Sequence, residues 1–179
     1  MDESDSGRSS ASATFEHLML PHLDAAYNLA RWLLRHDQDA EDCVQDAFLR
    51  AYQAFGRFRG GDGRAWLLTI VRNTCYSHLR TARRQEPVVA FDEEIHAADT
   101  RDASFWRREC PREELDAALG RLPAEFREVL VLHEIEGLAY KEIAAVAGIP
   151  LGTVMSRLSR ARARMQAELT PTRQGGTRP

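Results

Sequence analysis

Residues 136–165 read EGLAYKEIAAVAGIPLGTVMSRLSRARARM. The stretch predicts a helix, a glycine-marked turn and a second helix. Tyr140 to Ala147 supplies the first helix, with Ile143, Ala144 and Ala147 on its inner side. Gly148 ends it, because glycine accepts the left-handed conformation that closes a helix. Pro150 cannot continue that helix but suits the opening of the next. From Leu151 onward, Val154, Leu158, Ala161 and Met165 recur at helical spacing and predict a buried stripe. Ser156, Arg157, Arg160 and Arg164 lie largely off it. Gly152 has no side chain to hold the backbone away from a phosphate, and the N–H groups of a helix start attract phosphate oxygens. Thr153 and Ser156 can donate to phosphates or base edges. A basic amphipathic helix alone is often a solvated face. The turn signals and small residues favour a helix-turn-helix that presents its second helix to a major groove.

The rest of the 179-residue chain sets the context for this motif. Its apolar fraction of 44% is that of a globular protein. No apolar run is long enough to span a bilayer, so direct membrane insertion is not expected. The N-terminal residues 1–13, acidic and Ser-rich, have no basic segment leading into an apolar core and carry no secretion signal. They read as a disordered tail, as do residues 170–179. Three scattered cysteines, Cys43, Cys75 and Cys110, describe neither a disulfide framework nor a zinc site. They read as reduced thiols of a cytoplasmic protein. The six histidines are scattered too, and no metal or cofactor site is expected.

A net charge of −3 looks wrong for a DNA binder, but the distribution matters more. Arg57, Arg59, Arg64, Arg72, Arg80, Arg83 and Arg84 fall in one stretch, opposed only by Asp62. Arg157, Arg160, Arg162 and Arg164 fall in another. Asp92, Glu93, Glu94, Asp99 and Asp102 lie between them. Two basic surfaces with an acidic tether suggest two nucleic-acid contacts on separate modules.

Periodicity divides the chain accordingly. Thr14 to Leu34 predicts a helix capped by Thr14, with Leu18, Ala25, Leu29 and Leu33 inward. Asp37 or Asp39 caps the next helix, whose stripe is Val44, Ala47, Phe48, Ala51 and Phe55. A glycine loop, Arg57 to Gly63, precedes a third helix from Arg64 to Arg84, with Leu67, Ile70, Val71 and Thr74 inward. These residues, 14–85, predict one small helical domain. Residues 86–111 lack sustained periodicity and read as a flexible linker. A second helical domain, 112–169, opens at Glu113, continues from Pro123 to about Glu136 with Phe126, Val129, Leu130 and His133 spaced for burial, and ends in the helix-turn-helix. No strand alternation is present. The expected fold is all-α, in two small domains.

The end of the first domain mixes aromatics with cations: Phe58, Arg59, Arg72, Asn73, Tyr76, Arg80 and Arg83. Aromatics offer stacking surfaces to unpaired bases while arginines track the backbone, at about 1–3 kcal/mol per stacked base. Trp66 and Phe55 read as core anchors; Phe58, between two arginines in a glycine loop, reads as the exposed aromatic. The acidic helix that starts at Asp39 would repel DNA. Gln45, Asp46, Leu49 and Tyr52, partly off its core stripe, suit docking to a partner helix. No metal cluster, phosphate-binding glycine motif or nucleophile constellation points to catalysis.

DAEDCVQDAFLRAYQAF, WLLTIVRNTCYSHLR and EIEGLAYKEIAAVAGIPLGTVMSRLSRARARM together resemble a bacterial sigma factor of the extracytoplasmic-function group, over about Phe15–Arg84 and Leu115–Leu169. The resemblance implies regions two and four of an alternative sigma factor, not an enzyme. Such a factor binds core RNA polymerase, directs it to promoter DNA, supports melting and initiation, and is commonly held by an anti-sigma factor. By analogy Asp39 to Phe55 docks on the polymerase, through Asp39, Gln45, Asp46, Leu49 and Tyr52. The Phe58 loop and the helix through Arg84 engage the minus-ten element, with Asn73 at a base-reading position. Leu151 to Arg164 enters the major groove at the minus-thirty-five element through Gly152, Thr153, Met155, Ser156, Arg157, Ser159, Arg160 and Arg164. Many relatives carry Lys or Arg where Met155 stands, and Ser or Thr where Ala139 stands. The competing reading is a stand-alone helix-turn-helix regulator, which would not need the first domain's aromatic and basic surface.

Overall fold

A computed structural model of the chain describes residues 12–83 and 111–169, and every regular element among them is helical. Helix α1 covers residues 12–19. A 3-10 turn at Leu20–His22 carries Pro21 and leads into α2, Leu23–Leu34. The sequence predicted one helix from Thr14 to Leu34. Pro21 has no N–H to donate and interrupts it. The phase shifts at that break: Phe15 and Met19 face the core, while Leu18 is 39% exposed rather than inward. Ala25, Leu29 and Leu33 are buried as expected. Thr14 lies within α1, and residues 12–13, assigned to the tail, are helical, so Thr14 is no cap.

Helix α3 spans Asp37–Ala54. Its N-cap is His36, whose Nδ1 accepts from the Asp39 backbone N–H at 3.5 Å; Asp37 and Asp39 instead sit in the first turn. Acids there face the positive end of the helix dipole. A second 3-10 turn, Phe55–Arg57, leads to the glycine loop, where Gly60 (φ 85°) and Gly61 (φ 93°) hold conformations that side chains disfavour. Asp62 then caps α4, Gly63–Arg83, its Oδ1 accepting from the backbone N–H of Arg64 (2.9 Å) and Ala65 (3.1 Å). Leu67, Leu68, Val71 and Cys75 bury completely against α2 and α3. Burial of each leucine contributes about 1.5–3 kcal/mol.

The second module holds α5 (Arg112–Arg121), α6 (Ala124–Leu130), α7 (Tyr140–Ala147) and α8 (Leu151–Leu169). Helix α6 runs into a π turn, Val131–Ile135, closed by Glu136 N–H donating to Val131 O at 3.0 Å. Gly148 (φ 65°) ends α7 as expected. Within α7, Val146 joins Ile143 and Ala147 in the core while Ala144 is half-buried. Ala139 stands at the α7 N-cap. Only half of a capping box is made there: Ala139 N–H donates to Glu142 Oε2 at 2.6 Å, and alanine has no acceptor to return. The two modules are packed together, α4 against α7 and α2 against α6, over one continuous apolar core. The expected linker lies outside the described residues, except Pro111, which precedes α5.

Candidate nucleic-acid interface

Helix α8 has the form expected of a recognition helix. Val154, Leu158, Ala161 and Met165 are all buried, against α6 and α7. Gly152, Met155, Ser156 and Arg160 are exposed on the opposite side, flanked by half-buried Thr153, Arg157 and Ser159. Ser156 Oγ donates to Thr153 O at 3.1 Å, which holds the hydroxyl at the start of the helix. Two arginines turn inward instead. Arg162 binds Glu134 (Nη2–Oε1 2.7 Å), and Arg164 lies over the Phe126 ring at 5.2 Å with its Nε buried. Arg164 is thus half-buried against α6 and does not stand with the exposed set.

The minus-ten candidates divide. Phe58 is half-buried, stacked on Phe55 (5.9 Å, 15°) and close to Trp66 (5.1 Å), so it closes an aromatic cluster rather than standing free. Gly63 lies beside it: a Cβ there would meet Met19 Cε at 3.3 Å and Phe58 Cζ at 3.9 Å. Arg59, Asn73 and Arg80 are exposed. Asn73 Oδ1 accepts from Arg72 Nη1 at 3.3 Å, and Arg80 reaches Ser77 Oγ at 3.1 Å. Arg83 is the last residue of α4.

Arg72 and Tyr76 point elsewhere. Both meet Glu128 of α6, a carboxylate with no solvent exposure. Arg72 Nε pairs with Oε1, and Tyr76 O–H donates to Oε2 at 2.9 Å; the Arg72 guanidinium also lies over the Tyr76 ring at 4.5 Å. Burial raises the pKa of Glu128 despite Arg72 and Tyr76, which favour its ion. Burial likewise raises the Tyr76 hydroxyl, with the Glu128 charge adding to it.

Further bonds cross the same boundary. Glu136 Oε2 accepts from Arg64 (2.5 Å) and Oε1 from Asn28 (3.0 Å). Arg127, buried and lowered to about 10 by desolvation, donates to Trp32 O at 2.7 Å at the end of α2 and to Leu122 O at 2.9 Å. Arg35 donates to Gly120 O at 2.7 Å, in a space that a Cβ on Gly120 would close, and Arg31 reaches Asp116 at 3.7 Å.

On α3, Gln45, Leu49 and Tyr52 share an open face, with Leu49 56% and Tyr52 45% exposed. Half-buried Asp46 pairs with Arg50 at 2.9 Å, and Asp39 lies 3.7 Å from both His36 and His78.

Sequence reasoning missed Glu128, Arg127 and Glu136, because charged residues inside an amphipathic pattern read as surface. It also missed the approach of Cys43 to Cys75. Among the described residues no cluster of His, Cys, Asp and Glu is arranged to hold a metal ion, and no helix is long and apolar enough to cross a membrane.

Comparison with known proteins agrees with this geometry. The family model for sigma-70 region 2 matches residues 18–85, and that for sigma-70 region 4 matches residues 112–165. The RNA polymerase sigma-H factor of Pseudomonas aeruginosa is 36% identical over 167 residues, 88% of this chain and 86% of that one. The ECF RNA polymerase sigma factor SigE of Mycolicibacterium smegmatis is 33% identical over 162 residues, 89% of this chain and 63% of that one. Among solved structures, the sigma factor RpoE in complex with the anti-sigma factor NepR from Bartonella quintana is similar at TM-score 0.71 and 33% identity, over 89% of this chain and 99% of that one. CnrH in complex with the cytosolic domain of CnrY is similar at TM-score 0.63 and 30% identity, over 90% and 93%.

Proposed function

We propose a function from one premise: the chain belongs to the extracytoplasmic-function sigma factors of RNA polymerase. It binds core RNA polymerase, directs it to promoter DNA and is a partner for an anti-sigma factor. The observation that carries the reading is α8. Its apolar stripe is wholly buried, while Gly152, Met155, Ser156 and Arg160 stand exposed on the opposite side. We assign these four, with Thr153, Arg157 and Ser159, to the minus-thirty-five element. Arg164 supports the helix through Phe126 and reaches DNA only if it leaves that ring. Met155 adds a thioether where a cation would add charge, which favours contact with an apolar base group.

The minus-ten set is Arg59, Asn73 and Arg80 on an accessible surface, with Arg83 at the end of α4; Arg72 and Tyr76 join once the modules part, and Phe58 joins by leaving its ring cluster. Glu128 occupies Arg72 and Tyr76 in the closed chain, so a polymerase that separates the modules frees both for the unpaired strand. The structural similarity to a sigma factor held by an anti-sigma factor extends over both modules and supports the closed arrangement as the inactive one. Gln45, Leu49 and Tyr52, flanked by Asp46 and Asp39, form the polymerase-docking face. The chain acts as an initiation factor with no reaction of its own, in the cytoplasm.

Transcription by core polymerase on a genomic promoter library tests the reading. Discrete start sites that require this protein support it. Sequence-specific duplex binding without polymerase binding supports the stand-alone regulator instead, which the family match disfavours.

A further inference from the structure

Cys43 on α3 and Cys75 on α4 bring their sulfurs to 3.1 Å, and both are free, buried thiols. That is nearer than unbonded sulfurs ordinarily rest, and the two come from helices whose packing forms the centre of the first module. The bland role of such thiols is to pack as small hydrophobes. A second observation argues for more. Cys43 lines a cavity of about 550 Å³ together with Asp42, Asp46, Arg50, Ser77 and His78, and Cys75 is not part of that lining. Charged side chains rim the cavity, and it is far larger than a water molecule requires. One thiol is reachable by a small polar reagent, and its neighbour is sealed behind it.

We propose that Cys43 and Cys75 are a reversible dithiol–disulfide pair, in which a peroxide entering this cavity oxidises Cys43 and Cys75 then closes the bond. The Cys43 thiolate attacks one peroxide oxygen. The S–O bond forms, the O–O bond breaks, and the leaving hydroxide takes a proton to become water. The product is a sulfenic acid. The Cys75 sulfur attacks the Cys43 sulfur; the S–S bond forms, the S–O bond breaks, and a second water leaves with the Cys75 proton. Two thiols lose two electrons to one peroxide, and an external dithiol reverses the change.

The surrounding charges fit this order. The hydrogen bond from Cys75 lowers the pKa of Cys43 against the pull of burial and Asp46, and Arg50 assists. Cys75 is raised, by that same bond, by burial and by the charges of Cys43 and Glu128. The nucleophile is the sulfur that borders the cavity and the resolving thiol is the one behind it. The bond would tie α3 to α4, so the face we assign to polymerase and the helix we assign to the minus-ten element would move as one body. The pairing itself does not depend on those assignments.

The test uses the full, reduced chain treated with hydrogen peroxide while folded, alkylated, digested and mapped without reduction. The expected product is a Cys43–Cys75 linked peptide that dithiothreitol removes. The melting midpoint of the oxidised protein should rise by about 5–10 °C. In Cys75→Ser, dimedone should label Cys43, whereas in Cys43→Ser, Cys75 should stay unlabelled. Three results overturn the proposal: both thiols remain alkylatable, Cys43 over-oxidises without pairing, or Cys43 links to Cys110 instead. If a serine variant does not fold, the map of the unsubstituted protein decides alone.

Discussion

The two helices we assign to DNA differ in how ready they are. Helix α8 is exposed along Gly152, Met155, Ser156 and Arg160, with its arginine supports already paired inside its own module. Helix α4 has two of its DNA-facing candidates, Arg72 and Tyr76, bound to a carboxylate of the other module. The difference teaches that the modules are not two independent readers on a string. One helix is available in the closed chain, while the other becomes fully available only when the chain opens. The buried Glu128 contact is a poor stabiliser in itself, because desolvation offsets much of the attraction to Arg72. Its value lies in specificity of docking, since a misplaced module would leave Glu128 unpaired.

The largest effect should come from Glu128→Ala. It leaves Arg72 and Tyr76 facing a void and should weaken docking by about 2–3 kcal/mol. Energy transfer between labels on α3 and α8 should report a longer distance. An unchanged distance would dissolve the contrast between a ready and a covered helix. Next, Arg160→Ala should weaken duplex binding by about 1–2 kcal/mol and lower the salt slope by about 1 if the guanidinium contacts phosphate. It should do so equally in the Glu128→Ala background, since α8 needs no opening. A background-dependent loss would mean that α8 is covered too.

Asn73→Ala should shift minus-ten preference by about 1 kcal/mol in open-complex assays while affinity for core polymerase stays fixed. A joint loss of both would make Asn73 structural. The smallest effect is the response to pH. The Glu128 pKa is raised in the closed chain. Its contribution is therefore complete below the ordinary glutamate value of about 4.3 and is lost as pH rises through its higher, closed-state value. Docking should weaken across that window, and Glu128→Gln should flatten the response. A chain that docks more tightly as pH rises would contradict the direction of this shift.

What the sequence revealed follows from which forces are local. The α8 stripe was legible residue by residue, because helical periodicity and burial coincide within one element. Gly148 and Pro150 were legible because their backbone chemistry acts where they stand. The phase of α1 was not: Leu18 was read inward because the break at Pro21 was passed over. Phe58 was read as exposed because its neighbours in sequence are Arg57 and Arg59, whereas its neighbours in space are Phe55 and Trp66. Glu128 and Arg127 were illegible for a stronger reason. Their burial is decided by Arg72, Tyr76 and Trp32, residues of another module. A charge in a helix reads as solvated until something else covers it. Cys43 and Cys75 were dismissed as scattered by their separation in sequence, which says nothing about facing helices.

The contact between modules has a further consequence, because both halves belong to one chain. Dilution does not open an intramolecular interface, and a tether keeps the local concentration of each half before the other in the millimolar range. Making more or less of this protein therefore leaves the fraction of closed molecules unchanged. Polymerase meets an apparent affinity reduced by the fraction that is open, at any abundance. Only a partner with a preference for one arrangement, or a chemical change inside the chain, can move that fraction.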